Sequence, residues 1–168
     1  MYLFRLSYYS RNTIKELERP VAAEVKQIMH VSNLNNPAAG ITGGLVFNDH
    51  YFAQILEGDR KAVTQTFCRI ANDERHNDIV MLEAQPIDNR MFDGWAMAYA
   101  GHSPEVDRIY LRYGTAIGFA PSKMTASAFV MLVKDLVETG SRIAMTPLVD
   151  ERGQAAATNA TKQPVVPA

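Results

Sequence analysis

Residues 43–58, GGLVFNDHYFAQILEG, read as a β-hairpin. Apolar residues run up to Asn48-Asp49-His50, and a second apolar run follows. In that second run Phe52, Gln54 and Leu56 share one face, because side chains alternate along a strand. Phe52 and Leu56 require a core. Gln54 between them brings an amide with two N–H donors and a carbonyl with two lone pairs. A buried hydrogen bond left unmade costs ~1–3 kcal/mol, so this glutamine needs partners.

The elements on either side fix the architecture. Residues 2–9 alternate as a strand, with Tyr2, Phe4, Leu6 and Tyr8 on one face and Arg5 and Ser7 on the other. Pro20 opens a helix, since proline is tolerated in a first turn. Val21, Val25, Ile28 and Met29 are spaced for one helical face. That helix is expected to dissolve into a loop, SNLNNPAAG, rich in Asn, Pro and Gly. After the hairpin (44–57), EGDRKAV begins a second helix with Asp59 as cap and Val63, Phe67 and Ile70 inward. NDERHND (72–78) ends it. Ile79–Ala84 reads as a fourth strand, PIDNRMFDG as a connector, and Trp95–Ala100 as a fifth strand with Trp95, Met97 and Tyr99 on one face. The order β-α-β-β-α-β-β predicts an α+β, ferredoxin-like sandwich with two helices on one face of a mixed sheet.

GHSPEV (101–106) marks a boundary. A short helix is expected over Glu105–Tyr113, then a turn at GFAPS, with Ser122 or Thr125 capping a further helix. In that helix Phe129, Leu132, Val133, Leu136 and Val137 form a wide apolar stripe, expected to stop near Gly140. The stripe must be buried, on the sheet's free face or against another chain. The organisation expected is residues 1–100 as one domain, 101–141 as a pair of C-terminal helices, and 142–168 as a disordered tail.

Composition excludes several classes. The chain of 168 residues has a formal net charge of −1, so nothing argues for direct nucleic-acid binding or an electrostatic membrane surface. One cysteine, Cys68, rules out an intrachain disulfide framework and suits a reducing compartment. No apolar run approaches the ~20 residues needed to cross a bilayer, and no signal peptide is legible. A cytoplasmic protein is expected. The four histidines lack metal-ligand spacing, and no Gly-x-Gly-x-x-Gly nucleotide fingerprint is present.

Gln54 has polar company. Tyr8 ends the apolar face of the first strand. Asn35 and Asn36 sit where the first helix ends, and Arg75 and His76 where the second ends. A ligand slotted between the two helices, edge-on to Gln54, would meet amides on one side and Arg75 on another. Amides pair well with a flat ring that alternates C=O and N–H, as a flavin edge does, and apolar helix faces including Ile28 can sandwich the ring. Taken singly, each residue has an ordinary role: core amide, packed tyrosine, turn asparagines, solvated charges.

Five runs resolve the ambiguity. LFRLSYYSR (3–11), NNPAAGITGGLVF (35–47), YFAQILEG (51–58), RIANDERH (69–76) and RMFDGWAMAYA (90–100) stand in the order and spacing of the BLUF domain, and the first hundred residues resemble that family of flavin-based blue-light sensors. The resemblance implies a flavin cofactor, FAD foremost, with FMN and riboflavin sharing the same ring contacts. It implies that Tyr8 is the photoactive tyrosine and Gln54 the switching glutamine. Asn36 would hold the flavin's pyrimidine edge with Asn35 as helper, Arg75 would reach a flavin carbonyl, and Asp73 and His76 would lie near the ribityl chain. Ile28 would pack on the ring. Trp95 and Met97 would be the pair that carries the signal outward. Gly44 and Ala53 depart from the bulkier residues common at their positions.

The mechanism implied is short. The excited flavin takes an electron and then a proton from Tyr8. Gln54 relays the proton and returns rotated or as its imidic tautomer. The rearranged amide gives the flavin C4 carbonyl a new hydrogen bond and shifts absorption to the red. The resemblance further implies a stand-alone photoreceptor rather than an enzyme. Its output would pass to a partner in trans, such as a cyclic-di-GMP phosphodiesterase or another cyclic-nucleotide enzyme, or a transcription regulator, or through a homo-oligomer. The competing readings are a flavin redox enzyme and a ferredoxin-like interaction module without flavin.

Overall fold

The computed structural model describes residues 2–114 and 118–143. Five strands and four helices follow the chain as β1 (Leu3–Asn12), α1 (Val21–Ala38), β2 (Thr42–Phe47), β3 (Tyr51–Asp59), α2 (Arg60–Ala71), β4 (His76–Pro86), β5 (Trp95–Tyr99), α3 (Pro104–Arg112) and α4 (Ala126–Ile143), with a 3-10 turn at Pro121–Lys123. The sheet order is β4-β1-β3-β2-β5. β1 pairs antiparallel with both β3 and β4, β2 pairs antiparallel with β3, and β5 lies parallel to β2. This is the expected ferredoxin-like α+β sandwich.

The hairpin pairs as its alternation requires, Phe47 opposite Phe52 and Leu45 opposite Gln54. One sheet face carries two separate apolar clusters. Leu6, Tyr8, Ile41, Leu56 and Val63 gather under α2, joined by Phe67 and Ile70. Ile14, Ile28, Leu45 and Phe52 gather under α1, joined by Val21 and Val25. The other face carries Val46, Ala53 and Ile55, covered by α3 and α4 through Val106, Ile109, Phe129, Leu132, Val133, Leu136 and Val137. The apolar stripe of α4 therefore lies on its own sheet. Gly44 explains how closely: a Cβ there would stand 3.0 Å from Val137 Cγ1 and 3.3 Å from Val133 Cγ1. The small residues Gly44 and Ala53 let the helix settle onto β2 and β3.

Caps follow the chemistry. The Asp59 side chain accepts from the Lys61 N–H and starts α2. Ser103 does the same for α3 through Val106 N–H, and Thr125 Oγ1 accepts from Ala128 N–H at the start of α4.

Several expectations need correction. Residues 32–38 are helical rather than a loop. α1 runs through Pro37, and its end is set by Gly40, whose φ of +67° favours glycine. Met29 is exposed, because Val21, Val25 and Ile28 alone define the inward stripe. β4 starts at His76 instead of Ile79, since His76 and Asn77 pair with Asn12 and Arg11 of an equally lengthened β1. α4 continues through Gly140 to Ile143. β3 runs two residues past the expected hairpin end at 57, to Asp59. Of the tail read as disordered, residues 144–168 lie outside the described residues.

Candidate functional site

Tyr8 and Gln54 are direct cross-strand partners in the middle of the sheet. Both are buried, and the Tyr8 hydroxyl donates to Gln54 Oε1. The register continues sideways: Gln54 faces Leu45 on β2, and Leu45 faces Met97 on β5. The four side chains form one transverse row on the face that α1 and α2 cover. β4 slips register on both sides of Tyr8 and Tyr9, the kind of bulge that re-aims side chains near a site.

The Tyr8 phenol is held by its surroundings. Its ring meets Phe67 of α2 edge-on at 5.2 Å. Burial pushes its pKa well above the ordinary tyrosine range, and the negative charge of Asp73 pushes it further. The phenol is therefore neutral and keeps its proton, with Gln54 Oε1 as acceptor.

The two apolar clusters put α1 and α2 on separate footings, with Tyr8 and Gln54 at the border. Trp95 packs against both clusters. Its indole Nε1 is buried and has no hydrogen-bond partner among the described residues. Met97 packs against the α1 cluster, which includes Ile28. Asn36, in the last turn of α1, is buried, and its main-chain carbonyl accepts from Ile41 N–H. Asn35 points outward and is exposed, so the structure does not draw it into the buried group.

The third side is charged. Arg75 Nε donates to both Asp73 oxygens, at 2.9 and 3.1 Å, and Nη2 donates to Asp73 Oδ2 at 2.5 Å. Arg75 Nη1 reaches across to α1, to Glu24 at 3.1 Å and Gln27 at 2.6 Å. Burial works to raise the Asp73 pKa, but the hydrogen bonds and charge of Arg75 outweigh it and hold the carboxyl below its usual range. His76 stacks 4.3 Å from Phe52, and its Nδ1 lies 2.8 Å from Ser10 Oγ. Burial lowers its pKa to about 4, with Asp73 opposing and Arg75 assisting, so the imidazole is neutral at pH 7.

Six predicted residues thus gather along one border, Tyr8, Ile28, Gln54, Trp95, Met97 and His76, and Asn36 is buried at the end of α1. Asp73 and Arg75 form a charged bridge at the α1 side. Sequence reasoning missed Glu24 and Gln27, whose pairing with Arg75 crosses 51 and 48 residues and leaves no local trace. It also missed Glu57, a buried carboxylate in a central strand, detectable by the argument that singled out Gln54.

The donor set fits a flavin. Asn36 and Gln54 bring amides and Trp95 a buried, unpartnered indole N–H, while Ile28 and Phe67 offer apolar surface from α1 and α2. A separate hollow of about 530 Å³ at Tyr2, Asp59, Arg60, Lys61, Thr64 and Gln65 includes none of these residues.

A family model described as BLUF, sensors of blue light using FAD, matches residues 3–98. The photoactivated adenylate cyclase subunit alpha of Euglena gracilis is 33% identical over 95 residues, covering 56% of this chain and 9% of that protein. The chain thus matches a small part of that relative's length. Among solved structures, the photo-activated state of BlsA superposes with a TM-score of 0.70 at 27% identity, covering 80% of this chain and 94% of that one. The dark state of the BLUF protein BlrB gives 0.64 at 26% identity, covering 82% and 97%.

Proposed function

The chain belongs to the BLUF family, sensors of blue light that use FAD, and we propose that Tyr8 and Gln54 are its photoactive pair. The observation that carries this reading is the buried hydrogen bond from the Tyr8 hydroxyl to Gln54 Oε1. When bound, the flavin supplies the absorption of blue light and, once excited, a strongly oxidising ring.

The protein's part is to hold, orient and exclude water. Asn36 and Gln54 would hold the ring's polar edge with their amides. Ile28 and Phe67 would supply apolar surface to the ring. Tyr8 stores a proton at its hydroxyl, and Gln54 Oε1 is placed to receive it. The amide has two stable settings: Oε1 toward the phenol with Nε2 outward, or the reverse. Each setting satisfies a different neighbour. In a dry site an unmet bond costs ~1–3 kcal/mol, so the two settings are discrete states. Met97, at the end of the pair's row, and Trp95, two residues before it on β5, feel which setting is occupied. Asp73 and Arg75 fix the charged end, where Arg75 is suited to a carbonyl or phosphate.

The output reading follows. The chain acts without an activity of its own and passes the switch to a second protein, a cyclic-nucleotide enzyme or a transcription regulator. The relative's name, photoactivated adenylate cyclase, supports the first.

Gln54→Leu tests the pair. The variant is expected to bind flavin with a shifted dark spectrum and to lose the light-induced red shift. An unchanged photocycle would remove Gln54 from the mechanism.

A further inference from the structure

Glu57 is fully buried on β3, on the face opposite Gln54. Its Oε1 accepts from Arg5 Nε at 2.8 Å and pairs with Arg5 Nη2 at 2.8 Å. Its Oε2 accepts from the main-chain N–H groups of Met91 and Phe92, at 2.9 and 3.1 Å. Those residues lie in the connector that leads directly into β5 and Trp95. Arg90 adds a second hold: Nη1 donates to Glu57 O at 2.7 Å and Thr42 Oγ1 at 2.9 Å, and Nη2 to Gly40 O at 2.9 Å.

Beyond Phe92 the hold ends. Asp93 and Gly94 are exposed, and a Cβ on Gly94 would meet nothing within 4 Å. One main-chain bond, Gly43 N–H to Gly94 O at 2.9 Å, joins this stretch to β2. Beside it lies a hollow of about 200 Å³ bordered by Gly43, Phe92, Gly94, Trp95, Lys134 and Glu138. A fixed point, a free stretch and an open space stand in sequence just before the indole.

We propose that Glu57, held by Arg5, is a positioning residue that anchors the Met91 and Phe92 amides, so that the chain entering β5 pivots at Asp93-Gly94 and Trp95 is seated against the two apolar clusters. The inference rests on the reading of Trp95 as part of the signal path. It makes Glu57 the link between the strand that bears Gln54 and the strand that bears Trp95.

Glu57→Gln is a demanding test because the shape is kept. A carboxylate offers acceptors to both Arg5 and the two amides, whereas a carboxamide must turn its NH2 toward one set of donors. Trp95 is the sole tryptophan of the chain, so indole fluorescence and its quenching by acrylamide report this residue. In the flavin-loaded variant, quenching in the dark is expected to rise about twofold, as a locally released segment samples solvent, while the red shift keeps its amplitude. Wild-type quenching in dark Glu57→Gln would overturn the proposal.

Hydrogen exchange on the wild-type holoprotein gives a test that needs no variant. The Met91 and Phe92 amides are expected to stay protected in darkness and under blue light, with any change beginning at Asp93. Loss of their protection on illumination would overturn the anchor. The anchor's fluorescence readout is taken in the dark and the relay's in the light. A wild-type indole unmoved by light would therefore fail the Trp95 reading, while the dark variant judges Glu57 separately.

Discussion

At the scale of residues, the proposed chemistry rests on two partners. Tyr8 and Gln54 were legible because an amide and a phenol interrupt apolar strand faces, and physical cost makes such interruptions informative. Their meaning was not legible from cost alone, since a single buried amide is usually just satisfied. Arg75 shows the opposite limit. Its partners Glu24 and Gln27 come from a helix that only folding brings near. His76 yields a pH prediction. Its folded pKa of about 4 lies below the unfolded value of about 6.5. Between these values the unfolded chain binds more protons, so stability falls as pH falls. The full span corresponds to roughly 3 kcal/mol at 1.36 kcal/mol per pKa unit. The melting temperature of the holoprotein is expected to drop from pH 6.5 to 4, and His76→Gln to flatten that slope. An equal slope in the variant would assign the acid sensitivity elsewhere.

At the scale of elements, the hairpin and both site-forming helices were readable from alternation and helical spacing. The errors fell where polar residues hid the pattern. SNLNNPA looks like a turn because the residue before a proline disfavours helix, yet Pro37 sits in the last turn, where little remains to be broken. His76 and Asn77 extend β4 without any apolar signal, because the paired strand β1 supplies their reason. Gly140 failed to stop α4, since a helical glycine costs only about 1 kcal/mol against a buried stripe. The packing of α4 on Gly44 gives a test. Gly44→Val places atoms where Val137 and Val133 already stand, and overpacking of this kind costs about 1–3 kcal/mol. Urea unfolding should show that loss with the flavin spectrum preserved, because α4 and the site lie on opposite faces. A stable variant would mean the helix can move off the sheet freely.

At the scale of the whole molecule, α1 and α2 cover the proposed photoactive pair on one face, and α3 and α4 cover the other. A switch on the first face must travel through β3 and β5 to reach the second. Output through assembly is the corresponding expectation: sedimentation in darkness should give a multiple of the 18.7 kDa chain mass, and 18.7 kDa in both darkness and light would leave only a separate partner. None of the described helices is long and apolar enough to cross a membrane. The central claim is that light acts through the Tyr8–Gln54 hydrogen bond, and absorption spectroscopy of the flavin-loaded chain tests it most directly. Wild-type protein is expected to shift its flavin bands to the red under blue light and recover in darkness, while Tyr8→Phe binds flavin and shows no shift. A normal, reversible shift in Tyr8→Phe would contradict the account.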